Sequence, residues 1–106
     1  MKLARNKYYS LFSYKNPVFI CVEGHPVRIK GYPEFEFFYY LSDPWEEYRI
    51  VEATCGLAVG PGSDVLTETK EAAKDILDRA GKKKLAKHIR ESIEKNGLSP
   101  RYRGAS

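Results

Sequence analysis

The residues of this chain best suited to nucleophilic or metal chemistry are its two cysteines and two histidines, Cys21, Cys55, His25 and His88. A cysteine nucleophile needs a base and an oxyanion site beside it, and no spacing places either histidine next to Cys55. Structural zinc usually takes two local pairs of ligands, and only Cys21 and His25 form one. The sequence therefore predicts no enzyme, no metal and no cofactor, with Cys21 packed in a strand as a small apolar residue.

A glycine-rich stretch over residues 56–63 precedes a predicted helix, which is the position of a phosphate-binding loop. The Walker pattern ends in Gly-Lys-Ser/Thr, but here Pro61 follows Gly60 and no lysine is in place. A dinucleotide-binding fingerprint would need a glycine at Val65. We therefore interpret the stretch as a plain turn between a strand and a helix.

Positive charge is concentrated at both ends of the chain, whose formal net charge is +4. The first 16 residues carry four basic groups and no acidic one, and the last 25 carry eight basic and two acidic groups. This asymmetry favours an anionic partner, DNA or RNA, for the C-terminal helix. The alternative is that the basic ends neutralise an acidic sheet. The predicted nucleic-acid-binding residues are Lys83, Lys87, Arg90, Arg101 and Arg103.

A second candidate surface lies on the longest predicted strand, residues 34–41. Strand alternation turns one apolar set toward the helices and leaves Phe38 and Tyr40 exposed beside two carboxylates. Exposed aromatic clusters are typical of interaction surfaces. The alternative is that the sheet curls, so that the N-terminal segment or a second copy partly buries this face. The predicted protein-interaction residues are Glu34, Glu36, Phe38, Tyr40 and Trp45.

Alternating apolar and polar residues in the first half of the chain predict about five short strands. Their brief connections favour an antiparallel meander, because parallel strands need long crossovers. Residues 18–22 form a short continuous apolar run, which predicts a strand buried on both faces. Turn signals rich in Gly, Pro and Asn separate the strands.

Two amphipathic helices follow in the second half. Thr67 is the predicted N-cap of the first helix, and Gly81 its C-terminal stop. The second helix runs from about residue 82 to residue 96 and ends at Gly97. The fold class is therefore α+β, with both helices packed on one face of the sheet.

Length and composition bound the class of protein. A chain of 106 residues with 42% hydrophobic and 30% charged residues favours one folded domain over a disordered chain. No apolar run approaches the roughly 20 residues of a membrane span. The residues after Met1 lack the apolar segment of a secretory signal, so we expect none. We expect one domain over residues 1–98, a flexible basic tail over residues 99–106, a cytoplasmic location, reduced cysteines and no contact with a membrane.

Residues 54–60, Thr-Cys-Gly-Leu-Ala-Val-Gly, and the helix start at residues 67–72 resemble a pattern of small bacterial, phage and plasmid accessory proteins. In that pattern a strand pair leads through a glycine loop into a Thr-capped helix. About residues 50–80 are also similar to the sheet-and-helix part of HicB-type antitoxins. The resemblance implies a prokaryotic or mobile-element setting without catalysis, and carries over no functional residue.

The sequence thus predicts a non-enzymatic accessory protein that binds a protein partner or pairs with itself as a homodimer. The alternative function is nucleic-acid binding through the basic C-terminal helix.

Overall fold

A computed structural model describes residues 8–43 and 46–103. The strands are Tyr8–Ser13 (β1), Val18–Glu23 (β2), His25–Val27 (β3), Phe37–Ser42 (β4), Glu47–Glu52 (β5) and Leu57–Ala58 (β6). The helices are Leu66–Ala80 (α1) and Lys82–Asn96 (α2), and a 3-10 turn covers Pro100–Tyr102. The predicted α+β class, with antiparallel strands followed by two helices, is confirmed, and the strands number six in place of about five.

The strands form two antiparallel sheets, β1–β2 and β3–β4–β5–β6. β2 and β3 are separated only by Gly24, where the chain leaves β1 and begins to pair with β4. A Cβ atom at Gly24 would lie 2.7 Å from Cδ2 of Phe38 and 3.0 Å from Cδ1 of Tyr9. The absence of a side chain at Gly24 therefore allows the chain to turn from one sheet into the other at close quarters.

The larger sheet is covered on both faces. Successive residues of β4 point to opposite faces, so Phe37 and Phe38 enter different parts of the core. Phe37 packs with Ile50 and with Leu77 of α1 on the helix side. Phe38 packs against Tyr9 on the other side, where the β1–β2 hairpin lies across the sheet. The sheet is therefore the middle layer between the helix pair and the hairpin.

The C-terminal ends of both helices follow the sequence prediction. Gly81 has φ +84° and donates its N–H to the carbonyl of Leu77, at 2.8 Å. Gly97 has φ +92° and donates to the carbonyl of Ile93, also at 2.8 Å. Such positive φ values favour glycine, which explains both stops. Among the described residues, no helix combines the length and the hydropathy that crossing a bilayer requires.

The predicted N-cap of α1 is wrong. The helix begins at Leu66, so Thr67 already lies inside its first turn and Val65 occupies the cap without a side-chain hydrogen bond. Ser63 takes over part of the role, because its Oγ accepts the N–H of Val65 at 3.1 Å and donates to Glu68 at 3.0 Å. The helix therefore starts two residues closer to the glycine loop than a capping Thr67 would allow.

The described part of the tail that the sequence predicts as flexible over residues 99–106 packs against the rest of the chain. Ser99 is fully buried and donates its N–H to the carbonyl of Thr54 at 2.8 Å. Tyr102 packs against the cluster that contains Phe38, and its hydroxyl donates to Glu36. Residues 99–103 are therefore part of the domain, while residues 104–106 lie outside the described residues.

Candidate functional site

The aromatic surface predicted on β4 is a buried layer. Phe38 has no exposed surface, and its ring stacks on that of Tyr9 with 4.4 Å between the ring centroids. Tyr40 is half-buried and packs on the same cluster. The predicted exposure of Phe38 is therefore wrong, because the hairpin of β1 and β2 covers the face that a single pair of helices would have left open.

The predicted carboxylates lie before β4, in the turn that precedes it, and face partners of their own chain. Glu34 accepts a hydrogen bond from Lys82, with 2.9 Å between Oε2 and Nζ, and this bond lowers the pKa of Glu34. Glu36 accepts the hydroxyl of Tyr102. Trp45, the remaining member of the predicted surface, lies outside the described residues. The structure therefore does not gather these residues into an aromatic and acidic patch around Phe38.

The strand that the sequence predicts as interior, β2, is exposed. The exposed fractions are 51% for Val18 and 45% for Ile20, and Cys21 is exposed as well. Phe19 and Val22, which lie on opposite faces of β2, are half-buried because each packs on a core cluster. The prediction of burial on both faces is wrong, because each face is covered only in part and Val18, Ile20 and Cys21 stay exposed.

The outer edge of β2 carries backbone groups that have no partner among the described residues. Phe12 donates its N–H to the carbonyl of Gly56 at 2.8 Å, so the polar groups of Phe12 point away from β2. Its register partner Phe19 must then point its own N–H and C=O away from β1. Alternation gives Cys21 and Glu23 the same outward orientation. Within the described ranges, none of these outward groups hydrogen-bonds to another residue.

Few of the usual protections of an edge strand are present in β2. Natural edges are often blocked by proline, by lysine, by a bulge or by a covering element. Residues 18–22 contain no charged residue, no proline and no glycine, and Pro17 stands just before the strand. Three of these residues are β-branched and one is aromatic, which suits strand pairing. The edge thus combines free hydrogen-bonding groups with apolar side chains of high β-propensity.

Three of the predicted phosphate-binding side chains are exposed on α2. Lys83, Lys87 and Arg90 are each exposed, and no carboxylate of the described residues lies within 4.0 Å of their charged nitrogens. No residue of α2 is fully buried, since its apolar stripe packs only partly on the core. The solvent side of this helix is therefore a basic face, interrupted by Glu91 and Glu94.

The two C-terminal arginines contact their own chain. The guanidinium carbon of Arg101 lies 4.0 Å from the centroid of the Tyr9 ring, and its Nη1 donates to the carbonyl of Tyr8 at 2.7 Å. Arg103 donates from Nε to the carbonyl of Leu98 at 2.9 Å. Arg101 thus fastens the C-terminal turn to β1, and it lies apart from the basic face of α2 in this role.

One cavity is lined by both a cysteine and a histidine. It has a volume of about 470 Å³, lies between the two helices and β6, and is lined by both Cys55 and His88. Burial raises the pKa of the Cys55 thiol to about 12, with Glu52 adding to the effect. The thiolate is the nucleophilic form, so this environment disfavours the species that a cysteine enzyme needs. Across residues 8–43 and 46–103, no three His, Cys, Asp or Glu side chains cluster as metal ligands.

Sequence reasoning missed the β2 edge. One signal was available: Pro17 stands just before β2, and proline in sheets is typical of edge strands and of strand starts. The sequence itself does not say which strand takes that place. No protein-family model, no curated protein and no solved structure matches the chain, so the resemblance to HicB-type antitoxins and the prokaryotic setting it implies remain predictions.

Proposed function

We propose that this protein is a binding protein without catalytic activity that recognises a protein partner by strand addition at the outer edge of β2. The observation that carries the proposal is the exposed, uncharged stretch of β2 whose outward backbone groups at Phe19, Cys21 and Glu23 have no partner among the described residues. Strand addition is a recurrent mode of peptide recognition because backbone bonds provide affinity and side chains provide specificity.

The energetics of the edge favour such a complex. Each outward N–H or C=O group that gains a partner contributes about 0.5–1.5 kcal/mol net. Covering the exposed halves of Val18 and Ile20 contributes about 1 kcal/mol for each side chain. These gains oppose the cost of association, so an added strand of four to six residues gives a reversible interaction rather than a permanent one.

A photo-crosslinking residue at position 20 tests the proposal in the cells that produce the protein. We expect crosslinks to protein from position 20 and none from position 71, an exposed site on α1. The substitution Cys21→Pro removes an outward N–H that β1 does not use, so it blocks strand addition at no cost in intramolecular hydrogen bonds. Loss of the crosslink in Cys21→Pro supports the proposal. No crosslink from position 20, or one that survives Cys21→Pro, overturns it.

Nucleic-acid binding by α2 is the second candidate function. The observation that favours it is the exposure of Lys83, Lys87 and Arg90 without carboxylate partners among the described residues. Three phosphate contacts give a slope of log K against log salt of about −3 on duplex DNA.

Titration of duplex and single-stranded DNA at two salt concentrations tests this candidate. We expect the variant with all three residues changed to glutamate to lose binding, and Lys30→Glu, an exposed change outside α2, to keep most of it. No binding by the wild-type protein at low salt overturns the candidate.

A further inference from the structure

We infer that the strand added to β2 is β2 of a second copy of this chain, paired antiparallel about a two-fold axis at Ile20. The inference rests on the proposed function and names its partner. It joins two hairpins into one four-stranded sheet in the order β1–β2–β2–β1. The groups that carry it are the outward backbone atoms of Phe19 and Cys21 and the exposed side chains of Val18 and Ile20.

Backbone geometry selects the register. In an antiparallel pair, residues with outward polar groups bond to each other, and the residues between them form close pairs without hydrogen bonds. A two-fold axis at Ile20 sets Phe19 of each copy opposite Cys21 of the partner subunit, so both outward residues of the exposed stretch find partners. Ile20 then lies opposite Ile20 of the partner subunit, and Val18 lies opposite Val22 of the partner subunit. Every cross-strand pair within residues 18–22 is therefore apolar.

Charge complementarity supports the same register. Residues 18–22 carry no charge, so two copies meet without like-charged pairs along the strand. Glu23 is the charged residue at one end of β2, and Lys15 lies in the turn at the other end. Antiparallel pairing about Ile20 brings Glu23 of each copy next to the turn that holds Lys15 of the partner subunit. Both side chains are exposed, and neither forms an ion pair with another described residue.

The edge of the hairpin formed by β1 explains why association stops at two copies. Part of the outward edge of β1 is already in use, since Phe12 donates to Gly56 and the carbonyl of Tyr8 accepts from Arg101. A third strand therefore does not find the same continuous free edge on the far side of the hairpin. An isologous interface consumes both free edges and gives a closed dimer instead of a fibre.

Sedimentation across the micromolar range, combined with cysteine crosslinking, tests the inference. We expect the wild-type protein to shift from monomer to dimer as its concentration rises, and Cys21→Pro and Ile20→Lys to remain monomeric. Circular dichroism shows whether each variant is folded, and Ile20→Lys keeps the test valid if the proline variant unfolds.

Disulfide crosslinking then determines the register between the two β2 strands. In a Cys21→Ser background, Ile20→Cys places two thiols on a close pair whose Cα atoms lie about 4.5 Å apart, within disulfide reach, so oxidation yields a covalent dimer. Val18→Cys in the same background is the matched control and yields none, because its partner is Val22. Rapid disulfide formation through Cys21 in the wild-type protein, without crosslinking of Ile20→Cys, overturns the register.

If the wild-type protein sediments as a monomer at every concentration, the inference of a dimer is wrong. If that monomer still crosslinks to another protein from position 20, the proposed function stands with a different partner. If position 20 gives no crosslink at all, the proposed function fails as well.

Discussion

β2 and β4 are both six-residue strands of largely apolar sequence, and their surroundings differ completely. β4 lies in the middle layer, with Phe37 against the helices and Phe38 against the hairpin. β2 lies in the outer layer, with Ile20 45% exposed and its outward edge open within the described ranges. The sequence predicts β2 buried on both faces and the Phe38 face of β4 exposed, and both predictions are wrong. Apolar content identifies a strand, but a neighbouring element decides whether each of its faces and edges is covered.

The corner at Gly24 produces this difference. The chain turns there from the smaller sheet into the larger one, which carries the hairpin over the face of β4. The hairpin buries Phe38 with Tyr9, and it leaves Val18 and Ile20 of β2 exposed. Corners at which a strand changes sheets are a known feature of orthogonally packed β structures.

Phe38→Ala is the strongest test of the difference between buried β4 and exposed β2. Phe38 is fully buried, so its truncation leaves a cavity and lowers the free energy of unfolding by about 3–5 kcal/mol. Ile20→Ala is the matched change on β2 and lowers it by less than about 1.5 kcal/mol, because Ile20 is half-exposed in the monomer. Urea unfolding at a concentration that keeps the protein monomeric measures both. Equal losses in the two variants would contradict the assignment of the two strands to different layers.

Gly24→Ala tests the corner itself. The new methyl group would lie 2.7 Å from the Phe38 ring, and relief of that contact costs about 1–3 kcal/mol of unfolding free energy. The double variant Gly24→Ala/Phe38→Leu makes room for the methyl group, so its loss should be smaller than the sum of the single losses. Thermal or urea unfolding of the three variants gives the coupling. Additive losses would show that the hairpin does not pass close to Phe38.

Tyr102→Phe tests the contribution of the C-terminal turn, which packs on the core cluster of Tyr9 and Phe38. Loss of the hydrogen bond to Glu36 lowers the free energy of unfolding by about 1 kcal/mol. Burial, followed by the bond to Glu36, raises the pKa of Tyr102 above its ordinary value of 10.0, so the folded state favours the protonated hydroxyl. This stabilisation is fully present below pH 10 and is lost as the pH rises toward the raised pKa. Unfolding measured from neutral to alkaline pH should decline less in Tyr102→Phe, while Tyr14→Phe, at a residue 64% exposed, matches the wild type.

The two cysteine thiols report on the exposure of each region without a change in stability. Cys21 on β2 is exposed, and Cys55 after β5 is buried with its pKa raised to about 12 by burial. We expect a thiol reagent at pH 8 to modify Cys21 rapidly and Cys55 only after unfolding in urea. The count of modified thiols by mass spectrometry measures this. Rapid modification of both thiols in the folded protein would mean that the cavity beside His88 is open to solvent.

The local features of the fold were predictable from the sequence. Gly81 and Gly97 end the helices because a positive φ is strained for residues with a side chain. The periodicity of α2 correctly leaves Lys83 and Lys87 on its exposed side. The helix start was missed because Ser63, outside the predicted helix, satisfies part of the cap. Each success depends on neighbours within a few residues along the chain.

Local sequence patterns specify the order and type of the elements, the ends of the helices, and the charges that α2 presents to solvent. The burial of Phe38, and the edge of β2 that has no partner among the described residues, depend instead on the tertiary structure, because both arise from contacts between residues far apart in the chain. Tyr9 and Phe38 stack across 28 intervening positions, and no local pattern specifies that contact. The candidate site is therefore a consequence of how the layers are arranged, and apolar periodicity is the same for a covered strand and for one that provides the cover.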